Sequence, residues 1–407
     1  MKVLYLFTEY YPYGDESMSE HAFLKAEIRY LTKAFDRVIV VPSILPEPSP
    51  TKKSFEIDTS LANILHRASK ISLVIKALIN KYFYKEILSK NLFFRDLNQI
   101  KKLLVFAGKA KIAEQWLKQK QKIHLPNTLF YTFWNTAITL GISSIKETTV
   151  VSRAHGHDIY EKFHGYLPCY KFSLGNLHAL YLASQTAVDY LAYKFPLLKG
   201  KLAKRHLGVK KALMQARYSD DQTIRIVSCS YFVKIKRIHL IVEGIREYLK
   251  KYDRKINWVH FGYGTEFEKI EKLAESINDS RFQFTLKGRV KNSYILRYYR
   301  ENAVDLFITT TESEGGVPVS LQEAQAHGIP VIGTNVGGVP EIINNEVGVL
   351  MSKNPAAGGI ADAIHYIVSD STRFHEMRRN SFLNWEANFD ADKNFQLFSV
   401  NLRGLLP

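Results

Sequence analysis

Glu314 and Glu323 stand on either side of a short run, Gly315, Gly316, Val317 and Pro318, that leads into a helix. A glycine pair permits backbone conformations that other residues avoid. Pro318 suits a first helical turn, where its missing N–H costs nothing. Gly328 followed by Pro330 ends the helix near His327. The helix start, from Gly316 to Ser320, offers unpaired N–H groups and the positive end of a dipole, which is a place for a phosphate. Carboxylates do not bind phosphates; they accept hydrogen bonds from hydroxyls. Glu323 lies five residues past Pro318 and can project back toward the same place. A diphosphate joining a ribose to a sugar would satisfy both halves. A plain strand-to-helix crossover with a glycine turn has the same local pattern, so this run alone does not decide between them.

The elements that must position these residues are short β-branched and aromatic runs alternating with helical stretches. Residues 3–7, 38–41, 129–133, 149–151 and 180–183 read as strands in the first half, and 224–228, 258–261, 282–286, 306–309 and 331–333 in the second. Short apolar runs suit strands buried on both faces of a parallel sheet. The alternation predicts an α/β chain of two Rossmann-like doubly wound domains. A polar stretch without strand pattern, 210–222, separates the series. The expected domains are 1–212, completed by 386–407, and 222–385. Domains of this kind bind ligands at the carboxyl ends of their strands, so a cleft between them is expected.

The chain has 407 residues, 46% hydrophobic and 23% charged, with a formal net charge of +17. That excess favours polyanionic partners: nucleic acid, nucleotide phosphates or an anionic membrane. Cys169 and Cys229 are the only cysteines and have no metal-type spacing, which fits a reducing compartment. The opening MKVLYLFTEYYP breaks its apolar run at Thr8 and Glu9, too early for a signal peptide, and reads as a first strand. No run of about 18 apolar residues occurs, so no transmembrane helix is expected. A cytoplasmic location is expected. Residues 70–122, bounded by Lys70 and Lys122, depart from the strand rhythm. They read as amphipathic helices with thirteen Lys or Arg against three Asp or Glu, interleaved with Phe83, Tyr84, Phe93, Phe94, Phe106 and Trp116. Such helices can lie on the inner face of the cytoplasmic membrane or pack on the sheet with their lysines solvated; both have the same period.

The segment around Glu314 and Glu323 resembles the donor-site signature of retaining glycosyltransferases of family 4, the group 1 glycosyl transferases with the GT-B fold. That signature has seven residues between its two glutamates; here there are eight. Pro318 to Glu323 keeps the family spacing, so the extra residue falls in the Gly315-Gly316 loop. Inside the helix it would have swung Glu323 by about 100°. Residues 228–240 (SCSYFVKIKRIHL) resemble the family's strand, loop and helix that bring a basic pair to the diphosphate. Lys236 matches the family lysine, and Tyr231 fills the arginine position, with Lys234 or Arg237 as substitutes. Phe261-Gly262-Tyr263-Gly264 resembles the glycine turn, and Lys287-Gly288-Arg289-Val290 the loop beside the nucleotide base. Residues 152–160 (SRAHGHDIY) resemble the family's Arg-x-His-Gly-x-Asp segment, which puts His155 near the donor sugar. Asp158 is then an acceptor contact or a helix N-cap. Residues 10–20 take the place of a glycine-rich acceptor loop and keep only Gly14 of the usual pair. Residues 385–406 resemble the closing segment that returns to the first domain.

The resemblance implies a hexosyltransferase-type enzyme. It would move a sugar from a nucleotide diphosphate sugar to a hydroxyl of a growing surface polysaccharide, of capsule or lipopolysaccharide type, or of a lipid-linked oligosaccharide, with retention. His155 and Glu314 would be catalytic. Lys236, Gly262, Arg289, Val290, Gly315, Gly316, Val317, Ser320 and Glu323 would hold the donor, and Gly14 and Asp158 the acceptor. No Asp-x-Asp ends a strand, so neither a metal nor another cofactor is expected. A nucleotide-sugar epimerase of the same fold is an alternative, as is an inactive scaffold. A nucleic-acid-binding protein is a third reading, prompted by +17 and by 23 Tyr with 24 Phe. No nucleic-acid module is legible, so no nucleic-acid partner is expected.

Overall fold

The computed structural model describes residues 1–14, 19–48, 54–90, 96–120, 123–156, 158–161 and 165–407. Its contacts divide the chain into two units, Met1–Arg205 with Phe395–Pro407, and His206–Asn394. Each unit carries one parallel sheet.

In unit 1 the strands are β1 (Val3–Thr8), β2 (Arg37–Pro42), β3 (Glu56–Ile57), β4 (Thr128–Thr132), β5 (Thr149–Ala154), β6 (Ala179–Leu182) and β7 (Leu202–Lys204), in the order β3-β2-β1-β4-β5-β6-β7. The helices are α1 (Ser19–Ala34), α2 (Ser60–Arg67), α3 (Lys70–Leu78), α4 (Lys81–Lys90), α5 (Leu97–Gln119), α6 (Ala137–Ser143), α7 (Tyr170–Asn176) and α8 (Gln185–Lys194). Side chains alternate across the sheet, as the pleat requires. Leu129 and Tyr131 of β4 face Leu24, Ile28 and Leu31 of α1, together with Phe398, Leu402 and Leu406 near the chain end. Phe130 faces the opposite way, toward Trp116 of α5 and Ile142 of α6. Arg153 is fully buried on the first face, 3.7 Å from Glu27 and 4.1 Å from the ring of Phe398. That contact explains why 395–407 belongs to this unit.

Unit 2 contains β8 (Thr223–Cys229), β9 (Lys255–Phe261), β10 (Phe282–Leu286), β11 (Leu306–Ile308), β12 (Val331–Thr334) and β13 (Gly348–Met351), in the order β10-β9-β8-β11-β12-β13. Its helices are α9 (His239–Lys251), α10 (Phe267–Glu275), α11 (Asn292–Glu301), α12 (Val319–Ala326), α13 (Ala357–Val368) and α14 (Ser371–Asn388), followed by α15 (Ala391–Arg403), whose residues from Phe395 belong to unit 1. Ile226, Ile308 and Ile332 face Ile241, Ile245 and Ile364 on one side. Val227, Phe307 and Val331 face Tyr299, Leu321 and Trp385 on the other. Each sheet thus has a helical layer on both faces and the strand order of a doubly wound Rossmann-like domain.

The expected strands all form, within a few residues. Three edge strands, β3, β7 and β13, were not anticipated. The domain limits also shift. Residues 206–221 were expected to be mostly linker, yet they are built into unit 2. Val209 N donates to Phe389 O at 3.0 Å, Trp385 Nε1 donates to Val209 O at 3.3 Å, and Arg217 bridges Ala303. Residues 386–394 stay with the same unit through these bonds.

The aromatic reading of 70–122 needs correction. Phe83 and Trp116 are buried, Phe106 packs on the cluster around Leu103 and Ala107, and only Tyr84 is exposed. Phe93 and Phe94 lie outside the described residues. No helix among the described residues is long and apolar enough to cross a membrane.

Candidate functional site

In a doubly wound sheet the loops leaving neighbouring strands part company where the strand order reverses, and ligands bind at that point. In unit 2 the reversal lies between β8 and β11. The loop after β8 carries Lys236, and the loop after β11 carries Glu314. Lys236 Nζ donates to Glu314 Oε1 across the gap, and both side chains keep some exposure, 23% and 17%. The two loops are also tied by their backbones: Glu312 N donates to Ile235 O at 2.8 Å. Arg237, in the left-handed region at φ 47°, completes the joint. Its guanidinium donates to Thr310 O at 2.8 Å, Thr311 O at 3.0 Å, Lys353 O at 2.7 Å and Asn354 Oδ1 at 2.8 Å. With four of its five N–H groups so taken up, Arg237 clamps these loops together. Tyr231, at that position, is 72% exposed, and Lys234 is exposed as well.

Gly315, Gly316 and Val317 lead from Glu314 to Pro318, which caps α12. The amides of Val319, Ser320 and Leu321 belong to the first turn and have no intrahelical acceptor. A second glycine pair after β12 makes this loop possible. A Cβ on Gly338 would lie 2.5 Å from the carbonyl carbon of Gly316 and 2.6 Å from the amide of Val317, and one on Gly337 would run into the Glu314 carbonyl. Backbone rests on backbone there, so any side chain would displace the loop.

Glu323 lies on α12, buried at 8% exposure. Asn292, at the start of α11, donates from Nδ2 to its Oε1 at 2.7 Å. Burial pushes the carboxyl up to about 7, and the bond from Asn292 opposes the rise only partly. The thiol of Cys229 at the end of β8 is pushed up to about 12, chiefly by burial and then by the charge of Glu323, which makes it inert as a nucleophile. Asn292 was not predicted from sequence; the polar residue opening α11 was its only signal.

The glycine turn after β9 is held in the same manner. Gly262 has φ 153°, a Cβ on it would strike the Ser230 carbonyl, and its N–H donates to Gly288 O at 3.0 Å. Beneath it, Trp258 Nε1 donates to Ser228 Oγ at 2.8 Å, Ser228 Oγ lies 2.7 Å from His260 Nδ1, and His260 Nε2 lies 3.0 Å from Ser230 O. A carbonyl can only accept, so Nε2 carries the proton and Nδ1 accepts from the serine. Burial holds this histidine down at about 4, so it remains neutral. Arg289 is exposed, and Val290 packs against the core. Val290 also edges a hollow of about 490 Å³ lined with Lys291, Tyr294, Arg297 and Arg300.

Unit 1 reverses its strand order between β1 and β4. Here carboxylates hold backbone. Glu20 Oε1 accepts from Glu9 N at 2.8 Å and Trp134 Nε1 at 2.7 Å, and its Oε2 accepts from Tyr10 N and Tyr11 N, each at 2.9 Å. Asp158 accepts from His155 N at 2.7 Å and Asn135 N at 3.0 Å, so it ties the loops after β4 and β5. Burial raises its carboxyl to about 6 against these bonds. His155 sits among Phe23, Phe133 and Trp134, with ring centroids 6.2, 4.4 and 4.6 Å away. Its Nε2 lies 3.0 Å from Phe133 O and must donate, which leaves Nδ1 as the acceptor nitrogen. Burial, followed by the charge of Arg153, pushes it down to about 3. Gly14 turns at φ 87° and donates to Pro48 O at 2.9 Å. Residues 15–18 of the expected acceptor loop, and His157, lie outside the described residues. Glu20 was not predicted as a loop organiser; an acid in the first turn of α1 was its only trace. Among the described residues no group of three His, Cys, Asp or Glu could hold a metal ion.

Residues 209–383 match the family described as Glycosyl transferases group 1. The chain is similar to an amylovoran biosynthesis glycosyltransferase of Erwinia amylovora, 28% identical over 160 residues, 39% of each chain. It is also similar to N-acetyl-alpha-D-glucosaminyl L-malate synthase of Bacillus anthracis, 31% identical over 157 residues, 38% of each. The similarity thus spans about two-fifths of these relatives' length. Among solved structures, sucrose-phosphate synthase from Thermosynechococcus elongatus shares the fold over 100% of this chain and 99% of its own, with a TM-score of 0.69 at 16% identity. The fold is therefore GT-B, and residues 209–383 of the chain match the glycosyl transferases group 1 model.

Proposed function

We propose that this protein is a retaining glycosyltransferase using a nucleotide diphosphate sugar. The observation that carries the reading is the meeting of Lys236 and Glu314 at the strand-order reversal of unit 2, beside the free amides that open α12. The family match over 209–383 supports it. As the sugar–phosphate bond breaks, negative charge grows on the leaving diphosphate. Lys236 gives one proton to Glu314 and has two more for phosphate oxygens. The amides of Val319 to Leu321 add fixed dipoles of the right sign, already oriented before the bond breaks. Protein groups thus take up the charge, and the scheme calls for no metal. Glu323 accepts from ribose hydroxyls, with Asn292 fixing its orientation. Glu314, with the amides of Gly316 and Val317, holds the donor sugar, and Arg289 and Val290 border the base. His155 offers Nδ1 to a sugar hydroxyl. Gly14 shapes the acceptor loop, and the role of Asp158 is to position His155.

The acceptor we infer is a hydroxyl of a surface polysaccharide or lipid-linked oligosaccharide. The matched amylovoran enzyme supports this class, and so does the basic stretch 70–122, which suits the inner face of a cytoplasmic membrane. Thermal-shift measurements against UDP-, GDP- and ADP-sugars test the donor site. A matched donor at 100 times its dissociation constant stabilises by about 2.7 kcal/mol. Glu323→Ala should lose that shift together with transfer. Full transfer by this variant would refute the site, and donor consumption without acceptor would favour an epimerase.

A further inference from the structure

The helix α3 is apolar on two faces. Its inner face packs on α5. A Cβ on Gly108 would run into the Leu73 carbonyl, Lys76 donates to Gln115, and Asn80 Nδ2 donates to Ala107 O at 2.9 Å. Ala77 is fully buried on this side. The outer face carries Ile71, Val74, Ile75 and Leu78 at spacings of three and four, which is one stripe of a helix. These residues are 73%, 38%, 57% and 47% exposed, and Ile79 follows at 56%. Single exposed aliphatics are ordinary; a contiguous row of five marks a binding surface. The inner face already anchors α3, and among the described residues no core cluster includes the outer stripe.

The charge around it selects the occupant. Residues 60–90 contain Arg67, Lys70, Lys76, Lys81, Lys85 and Lys90 and a single acid, Glu86. Glu86 is buried and accepts from Tyr166 OH at 3.0 Å. Lys70, Lys81 and Lys85 are exposed. A second copy related by a two-fold axis would bring these cations against their own kind. We propose that α3 lies in the interface of an anionic membrane, with Ile71, Val74, Ile75 and Leu78 at the acyl boundary and Lys70, Lys81 and Lys85 among the headgroups. Phe83, Phe106 and Trp116 take no part, since they pack inward. The inference deepens the reading of a membrane-borne acceptor and rests on it for its purpose, but vesicle binding needs neither donor nor acceptor.

Flotation of the full chain with phosphatidylglycerol-rich vesicles tests it, with pure phosphatidylcholine vesicles as control. The unaltered protein should float with the anionic vesicles only, and less as salt rises. Ile75→Asp with Leu78→Asp should lower partitioning by about tenfold or more, since carboxylates then face lipid and its charge. Circular dichroism and the thermal midpoint should not change, because neither side chain is in the core. Lys81→Glu with Lys85→Glu should weaken binding with the stripe intact. Equal flotation of the Asp variant would overturn the proposal. So would an unaltered protein that ignores vesicles, including one that light scattering shows to be a dimer which the Asp variant splits. Vesicle binding without sugar transfer from any donor would count against the enzymatic reading and for this one.

Discussion

The loops at the strand-order reversals of the two units are built from similar residues and use them differently. In unit 1, Glu20 and Asp158 face N–H groups with both oxygens: three backbone amides and the Trp134 indole on Glu20, and at least two backbone amides on Asp158. In unit 2, Glu314 and Glu323 are each met by a side chain, Lys236 and Asn292, and only Oε1 is engaged in those bonds. A carboxylate closed by amides fixes the chain that surrounds it. One held through a single oxygen retains lone pairs for a hydroxyl. The residue type therefore says little about the task, whereas the partners divide the structural acids from those fit to bind.

The strongest test of this division is Lys236→Ala. If Lys236 stabilises charge on the leaving group, transfer should drop by about 10²–10³, the cost of losing one such donor. Stability should hardly move, because the pair is partly exposed and such pairs contribute about 0–1 kcal/mol. Steady-state kinetics beside urea unfolding separates the two. A large stability loss with kcat preserved would make this pair structural, like the acids of unit 1.

Glu20→Gln examines the other side. The amide nitrogen of Gln would face an N–H donor, so one or two of the four bonds are lost in a buried place. Each unsatisfied group costs about 1–3 kcal/mol, so urea denaturation should show a loss of about 2–4 kcal/mol. Donor-induced stabilisation should largely persist, since the proposed diphosphate and ribose contacts lie in unit 2. A neutral substitution would mean that the four-donor cage does not hold the loop.

The same contrast explains what was legible in the sequence. The central strands announced themselves because burial on both faces demands runs such as those of β4 and β8. The edge strands β3 and β7 did not, since two or three residues make no pattern. Gly315, Gly316 and Pro318 were readable because they act on their own backbone. Arg237 stayed open beside Lys234 as a substitute for the family arginine, because its partners, Thr310, Thr311 and Asn354, lie 73 to 117 residues away. Asn292 was hidden for the same reason, 31 residues from Glu323. In 70–122 the period gave helices correctly but not their inward side. Phe83 and Trp116 went to the core, and the aliphatics of α3 remained outside.

Glu323→Gln yields the smallest effect and the most specific one. The native carboxyl keeps its proton up to about 7, against an ordinary 4.5. The folded state therefore binds more protons than the unfolded chain between these values, and stability declines as pH rises through that window. At 1.36 kcal/mol per pH unit the decline is at most about 3 kcal/mol. Gln has no proton to lose and still presents an oxygen to Asn292, so the variant lacks this slope. Urea unfolding at pH 5 and pH 8 should show the variant gaining on the parent at the higher pH. Ribose hydroxyls donate to the ionised form, so donor binding should draw the proton off. Donor affinity of the parent should then rise from pH 6 to pH 8, whereas that of the variant should be weaker and flat. Parallel pH profiles for the two proteins would show that Glu323 is held by its surroundings alone and does not meet the donor.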